Sequence, residues 1–367
     1  SGRSVGTPMN RSMDILSIVL LWPLSLLYDA ALHLRKLWYA AGLTKSVKVD
    51  VPVISIGNIT AGGTGKTPMA IHVAQILVSN GVRVAVLSRG YKRKSKSRNT
   101  QTKALVVSDG VQLACGVEEA GDEPFLMASR LLGTRDKPGA MVVVGKDRVA
   151  GAKVAVELGA QALILDDGFQ HWRIKRDLDI VLLDSERPFG NGWVLPAGNL
   201  REPVSAIRRA SAVVFTRCTS DRIQNTESGI LNGGKPAFCA RHAAAGLTRW
   251  RSNDACDPAV LKGKRLLLFS GIARPESFEH SIKDLGLEYS SHIAFGNHHR
   301  FREADLGRIA ARSKSFDAVI ATEKDAIRLP ARWDLCRPLY VLRIGIEFVK
   351  DSNKFEQLIL SVMQRTT

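Results

Sequence analysis

Short apolar runs alternate along this chain with longer stretches in which apolar residues recur at helical spacing. From residue 51 the order is VPVISIG, PMAIHVAQILVSNG and VRVAVLSRG; it returns in MVVVG, a periodic stretch over 149–158, ALILDDG, DIVLLD and AVVFTR. Runs of this length, closed by glycine or acidic residues, suit strands buried on both faces, and the periodic stretches suit the helices that cross between them. The pattern predicts an α/β protein whose first domain, residues 47–220, is a doubly wound, mainly parallel sheet wrapped by helices. Residues 221–260 contain Gly233, Gly234 and Pro236 in a broken apolar pattern and read as a connector, with short strands at most. RLLLFSGIA, a helix near 277–285, DAVIATEKDA, PLYVLRIG and a closing helix near 354–365 predict a smaller α/β domain over 261–367. A chain of 367 residues is long enough for two such cores.

Chemistry enters at residues 57–68, GNITAGGTGKTP, which follow an apolar strand and lead into a helix. The glycine-rich turn lets the backbone N–H groups of Gly62, Gly63, Thr64 and Gly65 face phosphate oxygens at a helix N-terminus. Lys66 then reaches the β- and γ-phosphates, and the Thr67 hydroxyl serves Mg²⁺. Thr60 stands where the strict motif has glycine, so this is a relaxed phosphate-binding loop with an intact GGTGKT core. Ala61 occupies the position where membrane-cycling ATPases carry a signature lysine, which argues against that class. Downstream, Asp166 and Asp167 end the strand ALILDDG, where a carboxylate that holds Mg²⁺ is expected; the sequence does not choose between the two. The first domain is therefore predicted to be of the P-loop NTPase type.

Residues 1–46 follow a different pattern. Residues 15–28 read ILSIVLLWPLSLLY before Asp29 and His33 interrupt, and apolar positions continue at Leu34, Leu37, Trp38 and Tyr39. An uninterrupted span needs about 20 apolar residues, so this segment suits a membrane-associated helix, re-entrant or interfacial, or a helix buried against the protein's own core. As an anchor it would place Trp22, Trp38 and Tyr39 at the interface and Arg35 and Lys36 on the cytoplasmic side. A cleaved export signal conflicts with the nucleotide loop that follows, whose ligand is a cytoplasmic metabolite. The opening SGRSVGTP reads as a flexible leader.

The formal net charge of +17 favours polyanionic partners: nucleic acid, anionic lipid or phosphorylated small molecules. An aromatic content of 6% and the lack of a zinc-finger or RNA-recognition signature argue against nucleic acid. The basic tract at 89–98, RGYKRKSKSR, reads as a solvated loop able, near a membrane, to attract anionic lipid or a phosphate already on the substrate. Five scattered cysteines without a CxxC pair imply a reducing compartment and neither a disulfide framework nor a zinc site. The sequence points to no particular protein partner.

DDGFQH at 166–171, with GNITAGGTGKTP at 57, SRGY at 88, GDEP at 121, VLPAGNLREP at 194, FGNHHRF at 295 and TEKDA at 322, resembles the tetraacyldisaccharide 4′-kinase family. The resemblance covers nearly the whole chain. It implies a membrane-associated N-terminal helix and two α/β/α domains with nucleotide and lipid headgroup between them. It further implies ATP and Mg²⁺, and transfer to the 4′-hydroxyl of an acylated glucosamine disaccharide 1-phosphate at the cytoplasmic face of the inner membrane. Asp122 in GDEP is implied as the catalytic carboxylate, acting with His298 and aided by Lys66. Without the resemblance GDEP reads as a turn at a helix start, and His298-His299 lacks a third metal ligand. Asn297 departs from the aspartate usual in the family, a change that would alter the pKa of His298 if that aspartate tunes it. Arg89, Glu123, Arg201 and Glu202 are candidates for the sugar headgroup or phosphate. Glu323 and Lys324 are candidates for contacts from the second domain, with salt bridging between domains as the alternative. The competing class is a membrane-recruited NTPase switch with no lipid acceptor and no need of the histidine segment.

Overall fold

The computed structural model describes residues 11–90, 104–219, 235–297 and 299–364, and over 11–19 the helix alone without its side chains. The leader at 1–10, residues 91–98 of the basic tract and His298 lie outside the described residues.

The first half comprises α1 (Arg11–Ala40), β1 (Val53–Gly57), α2 (Lys66–Ser79), β2 (Val84–Ser88), β3 (Leu105–Ser108), α3 (Val117–Ala120), α4 (Asp122–Arg130), β4 (Met141–Val144), α5 (Arg148–Glu157), β5 (Ala162–Asp166), β6 (Leu178–Asp184) and β7 (Ala212–Thr216). There follow β8 (Ala237–Arg249), β9 (Ala255–Cys256), β10 (Leu266–Ser270), α6 (Pro275–Asp284), β11 (Ser291–Ala294), α7 (Glu303–Ser313), β12 (Ala318–Thr322), α8 (Glu323–Ala326), β13 (Leu339–Phe348) and α9 (Ser352–Gln364). The chain is α/β, as the alternation predicts. β1 lies centrally between parallel neighbours, with Ile54 beside Ile164 of β5 and Ile56 beside Ile180 of β6. Central position and burial on both faces explain why VISIG carries no solvent-facing alternation.

Residues 237–249, expected to belong to a connector, form a 13-residue strand instead. The start of β8 pairs parallel with β7, and its length pairs antiparallel with β13 from Phe348 opposite Ala240 to Tyr340 opposite Arg249. One 13-stranded sheet thus runs through both halves. AFCARHAAAGLTR is rich in small residues and lacks the β-branched signature of a strand; ladder bonds on both edges hold it, and these are invisible locally.

In the first half Met69, Val73 and Leu77 of α2 pack on Ile54 and Ile56, and α9 returns to the same core through Phe355, Ile359 and Val362. In the second half Phe278 and Ile282 of α6 cover one sheet face and Leu306 and Ile309 of α7 the other.

Helix α1 docks one face on the first half. Ser25 Oγ donates to the Val194 carbonyl at 3.0 Å and accepts from the Ala197 amide at 2.9 Å. Tyr28 donates to the Arg201 carbonyl, Arg35 to that of Gln170, and Tyr39 meets Trp172 edge-on. The opposite face leaves Leu20 77% and Leu27 68% exposed, with Leu24, Leu37 and Trp38 beside them. No helix among the described residues is long and apolar enough to cross a membrane. Ser25→Ala leaves the buried Ala197 amide unpaired, while the Val194 carbonyl keeps its bond from the Gly198 amide, so unfolding in urea should show a loss of about 1–3 kcal/mol. An unchanged midpoint would show that this pair does not hold the helix.

Candidate active site

The phosphate-binding loop is built between β1 and α2. Gly57, at the strand's end, has no room for a side chain: a Cβ there would stand 2.5 Å from that of Phe169 in DDGFQH. Gly65 takes φ 84° immediately before α2, and a Cβ on it would stand 2.2 Å from Nε2 of His242 on β8. The second requirement is twofold: only glycine adopts this backbone cheaply, and only glycine admits the imidazole. His242 is kept neutral, its pKa pushed down to about 4 by burial and then by Arg217 and Lys324, against Asp184.

Asn58 organises the loop from below. Its Nδ2 donates to Thr64 Oγ1 at 3.0 Å and to Thr60 Oγ1 at 3.4 Å, and its Oδ1 accepts from Lys66 Nζ at 3.3 Å. The threonine that departs from the strict motif is thus part of the loop's support. Backbone bonds from Ala61 to the Asn199 carbonyl and from Arg201 to the Ile59 carbonyl, both 2.6 Å, stitch the loop to NLREP. Arg217 pairs with Asp184 and donates to the Gly63 carbonyl, fixing the other side.

This stitching delivers Arg201 to Asp167, where Nη1 meets both carboxylate oxygens at 2.9 Å. Lys66 Nζ lies 3.5 Å from the same carboxylate. Burial opposes ionisation of Asp167, yet Lys66 and Arg201, with help from Arg148, hold its pKa below the ordinary value. Its neighbour behaves oppositely. Asp166, at the buried end of β5, is raised from 3.8 to about 6 by burial, then by Glu123 and Asp167, against Arg148 and Lys66. Its Oδ2 accepts from Ser88 Oγ at 3.0 Å. One carboxylate is paired directly with two cations; the other feels Arg148 and Lys66, but burial outweighs them. A buried, charge-poor carboxylate near the Thr67 hydroxyl's helix end is a hard-oxygen donor set suited to Mg²⁺, which keeps several non-protein ligands.

Asp122 opens α4, and Glu123 lies near enough to influence Asp166. From the second half Arg328 Nε donates to Asp122 Oδ2 at 2.8 Å, Lys324 lies 3.4 Å from Glu123, and Glu323 binds Arg130 through both oxygens at 2.9 Å. Glu323 and Lys324 therefore make ion pairs between the halves. In the FGNHHRF segment Asn297 is exposed, while His299 stacks on Phe295 and meets Asp305 at 2.9 Å. Gly271 brings this segment close: its Cβ position is 3.1 Å from His299 Cβ and 3.0 Å from Asp325 Oδ1.

Glu202 is buried against Arg209 at 2.8 Å, and that guanidinium lies over the rings of Phe169 and Trp172. Arg89 is exposed just after Ser88. Sequence reasoning gave no role to Asn58, Ser88, Arg148, His242 or Arg328. Ser88 sits in the SRGY motif, a usable signal; Arg148 follows a helix-capping aspartate and announces nothing.

The family model described as tetraacyldisaccharide-1-P 4′-kinase matches residues 17–364. This chain belongs to that family. A tetraacyldisaccharide 4′-kinase from Geobacter metallireducens is 42% identical over 320 residues, covering 86% of this chain and 90% of the relative. Another from Syntrophus aciditrophicus is 40% identical over 360 residues, covering 94% and 93%. Among solved structures, the "apo" form of LpxK from Aquifex aeolicus in complex with ATP matches with a TM-score of 0.75 at 33% identity, over 94% of this chain and 99% of that one. Membership in the tetraacyldisaccharide-1-P 4′-kinase family makes the chain a kinase of lipid A biosynthesis, a transferase with an acceptor.

Proposed function

We propose that this kinase transfers the γ-phosphoryl group of ATP to the 4′-hydroxyl of a tetraacylated glucosamine disaccharide 1-phosphate, at the cytoplasmic face of the inner membrane. The observation that carries the reading is the split pair at the end of β5, Asp167 neutralised by Lys66 and Arg201 and Asp166 charge-poor, beside a phosphate loop and facing the start of α4.

The N–H groups of Gly62 to Thr67 cradle the phosphates, and Lys66 exchanges Asn58 and Asp167 for the β,γ-oxygens. Thr67 and Asp166 would hold Mg²⁺, which supplies charge neutralisation on those oxygens. Asp122 takes the proton of the attacking hydroxyl, with His298 as its partner through the resemblance. Arg201 stays within reach of an anionic acceptor from its place on Asp167, and Arg89 and Glu123 line the approach; Glu202 acts from below through Arg209. The exposed leucine and tryptophan face of α1 meets the acyl-chain surface, where an apolar helix face is stable.

The test is an acceptor assay. Purified protein, ATP, Mg²⁺ and tetraacyldisaccharide 1-phosphate in detergent micelles should yield a 1,4′-bisphosphorylated lipid. ATP hydrolysis without that product would overturn the assignment.

A further inference from the structure

We propose that Arg328 is a positioning residue for phosphoryl transfer, holding the Asp122 carboxylate in the orientation from which it receives the acceptor's proton. The inference rests on Asp122 being the general base. In that step the acceptor oxygen bonds to the γ-phosphorus, the β,γ-bridging bond breaks with its electron pair leaving on ADP, and the hydroxyl proton passes to Asp122. Arg328 exchanges no proton.

The geometry is specific. Asp122 stands at the first position of α4 with its side chain 41% exposed, whereas that of Arg328 is 8% exposed. Arg328 Nε meets Oδ2, and Oδ1 accepts no hydrogen bond from the described residues. One oxygen is pinned from the protein side by Arg328.

The guanidinium is itself held. Its Nη1 lies 3.6 Å from Oδ1 of Asp325, which is fully buried. Asp325 Oδ2 accepts from Thr322 Oγ1 at 2.6 Å and from the Gly271 amide at 2.9 Å. The residue before Gly271, Ser270, bonds His292 Nε2 at 2.9 Å, and His292 Nδ1 lies 2.7 Å from Glu279. A polar chain rooted in β10, β12 and α6 thus ends on Asp122.

Tethering alone does not call for this construction. Lys324 to Glu123, with both side chains more than 40% exposed, and Arg130 to Glu323 already join α4 to the second half. A planar guanidinium that donates to one carboxylate through Nε and lies in ion-pair range of a second adds angular definition, which an ammonium cannot supply. Burial raises the pKa of Asp325, against the hydrogen bonds from Thr322 and Gly271 and the charges of Arg328 and Lys324.

The experiment uses the full chain with ATP, Mg²⁺ and tetraacyldisaccharide 1-phosphate micelles, and compares Arg328→Ala, Arg328→Lys and Asp122→Asn with the double variants. Arg328→Ala should lower kcat about 10²-fold with KM for ATP unchanged, the scale of a misplaced reacting group. Guanidinium ion below denaturing concentration should restore part of that kcat, Arg328→Lys should recover only a part, and neither change should add to Asp122→Asn. Additive losses, an effect confined to KM, or no response to guanidinium would overturn the proposal. Should Arg328→Ala fail to fold, Arg328→Lys alone decides by its kcat and its additivity with Asp122→Asn. Full turnover in Asp122→Asn sinks the general-base reading and this inference together; lost turnover there with wild-type kcat in Arg328→Ala sinks this inference alone.

Discussion

Asp122→Asn is expected to lower kcat by about 10²- to 10⁴-fold, the usual contribution of a general base, while ATP binds with unchanged affinity. The amide is isosteric and its oxygen still accepts from Arg328, so the contact between halves survives. What disappears is the capacity to take a proton from a sugar hydroxyl. The nucleotide is expected at Gly62 to Thr67, Lys66 and Asp166, where Lys66 is bonded to Asn58 and Asp167 and Asp166 to Ser88. Turnover with saturating acceptor and calorimetric ATP binding separate the two effects. Equal loss of both would mean that Asp122 works by holding the halves together, with the proton leaving by another route.

The phosphate loop was legible because its determinants are local: strand, glycine-rich turn and helix follow one another within residues 57–68. The parallel sheet was legible for the same reason, since burial on both faces writes continuous apolar runs into each strand. β8 was not, because its alanines form a strand through ladder bonds to β7 and β13 rather than through side-chain pattern. Asp166 and Asp167 could not be told apart as neighbours in sequence. Their difference comes from Lys66 and Arg201, which reach one carboxylate, and from burial, which dominates the other. Arg328 and Asp122 are 206 positions apart, and no spacing rule links them. Composition also left α1 between anchor and core helix, and the structure gives it one docked face and one exposed.

Asp166→Asn should slow transfer sharply and stabilise the protein at once. Replacing the carboxylate removes the charge expected to hold Mg²⁺ at the phosphates, a loss of about 10²- to 10³-fold in kcat on the scale of one electrostatic group. The stability effect has a defined sign. The folded-state pKa of Asp166 is raised from 3.8 to about 6, so folding favours the protonated form. Its stabilising contribution is complete below the unfolded pKa of 3.8 and is lost as pH rises through about 6. Above that point the folded protein carries an ionised group it disfavours by about 3 kcal/mol, at 1.36 kcal/mol for each pKa unit. Asparagine is neutral throughout and keeps the shape. In the presence of EDTA and without nucleotide, urea unfolding should therefore show Asp166→Asn more stable than wild type at pH 7.5 and nearly equal to it at pH 4. Added Mg²⁺ and ATP should narrow the gap at pH 7.5 by stabilising wild type more, because the cation offsets the cost of the buried charge that the substitution removes. A variant less stable than wild type at pH 7.5 would show that Ser88 and Arg148 already compensate the buried charge, and that Asp166 is structural rather than held in readiness for a metal.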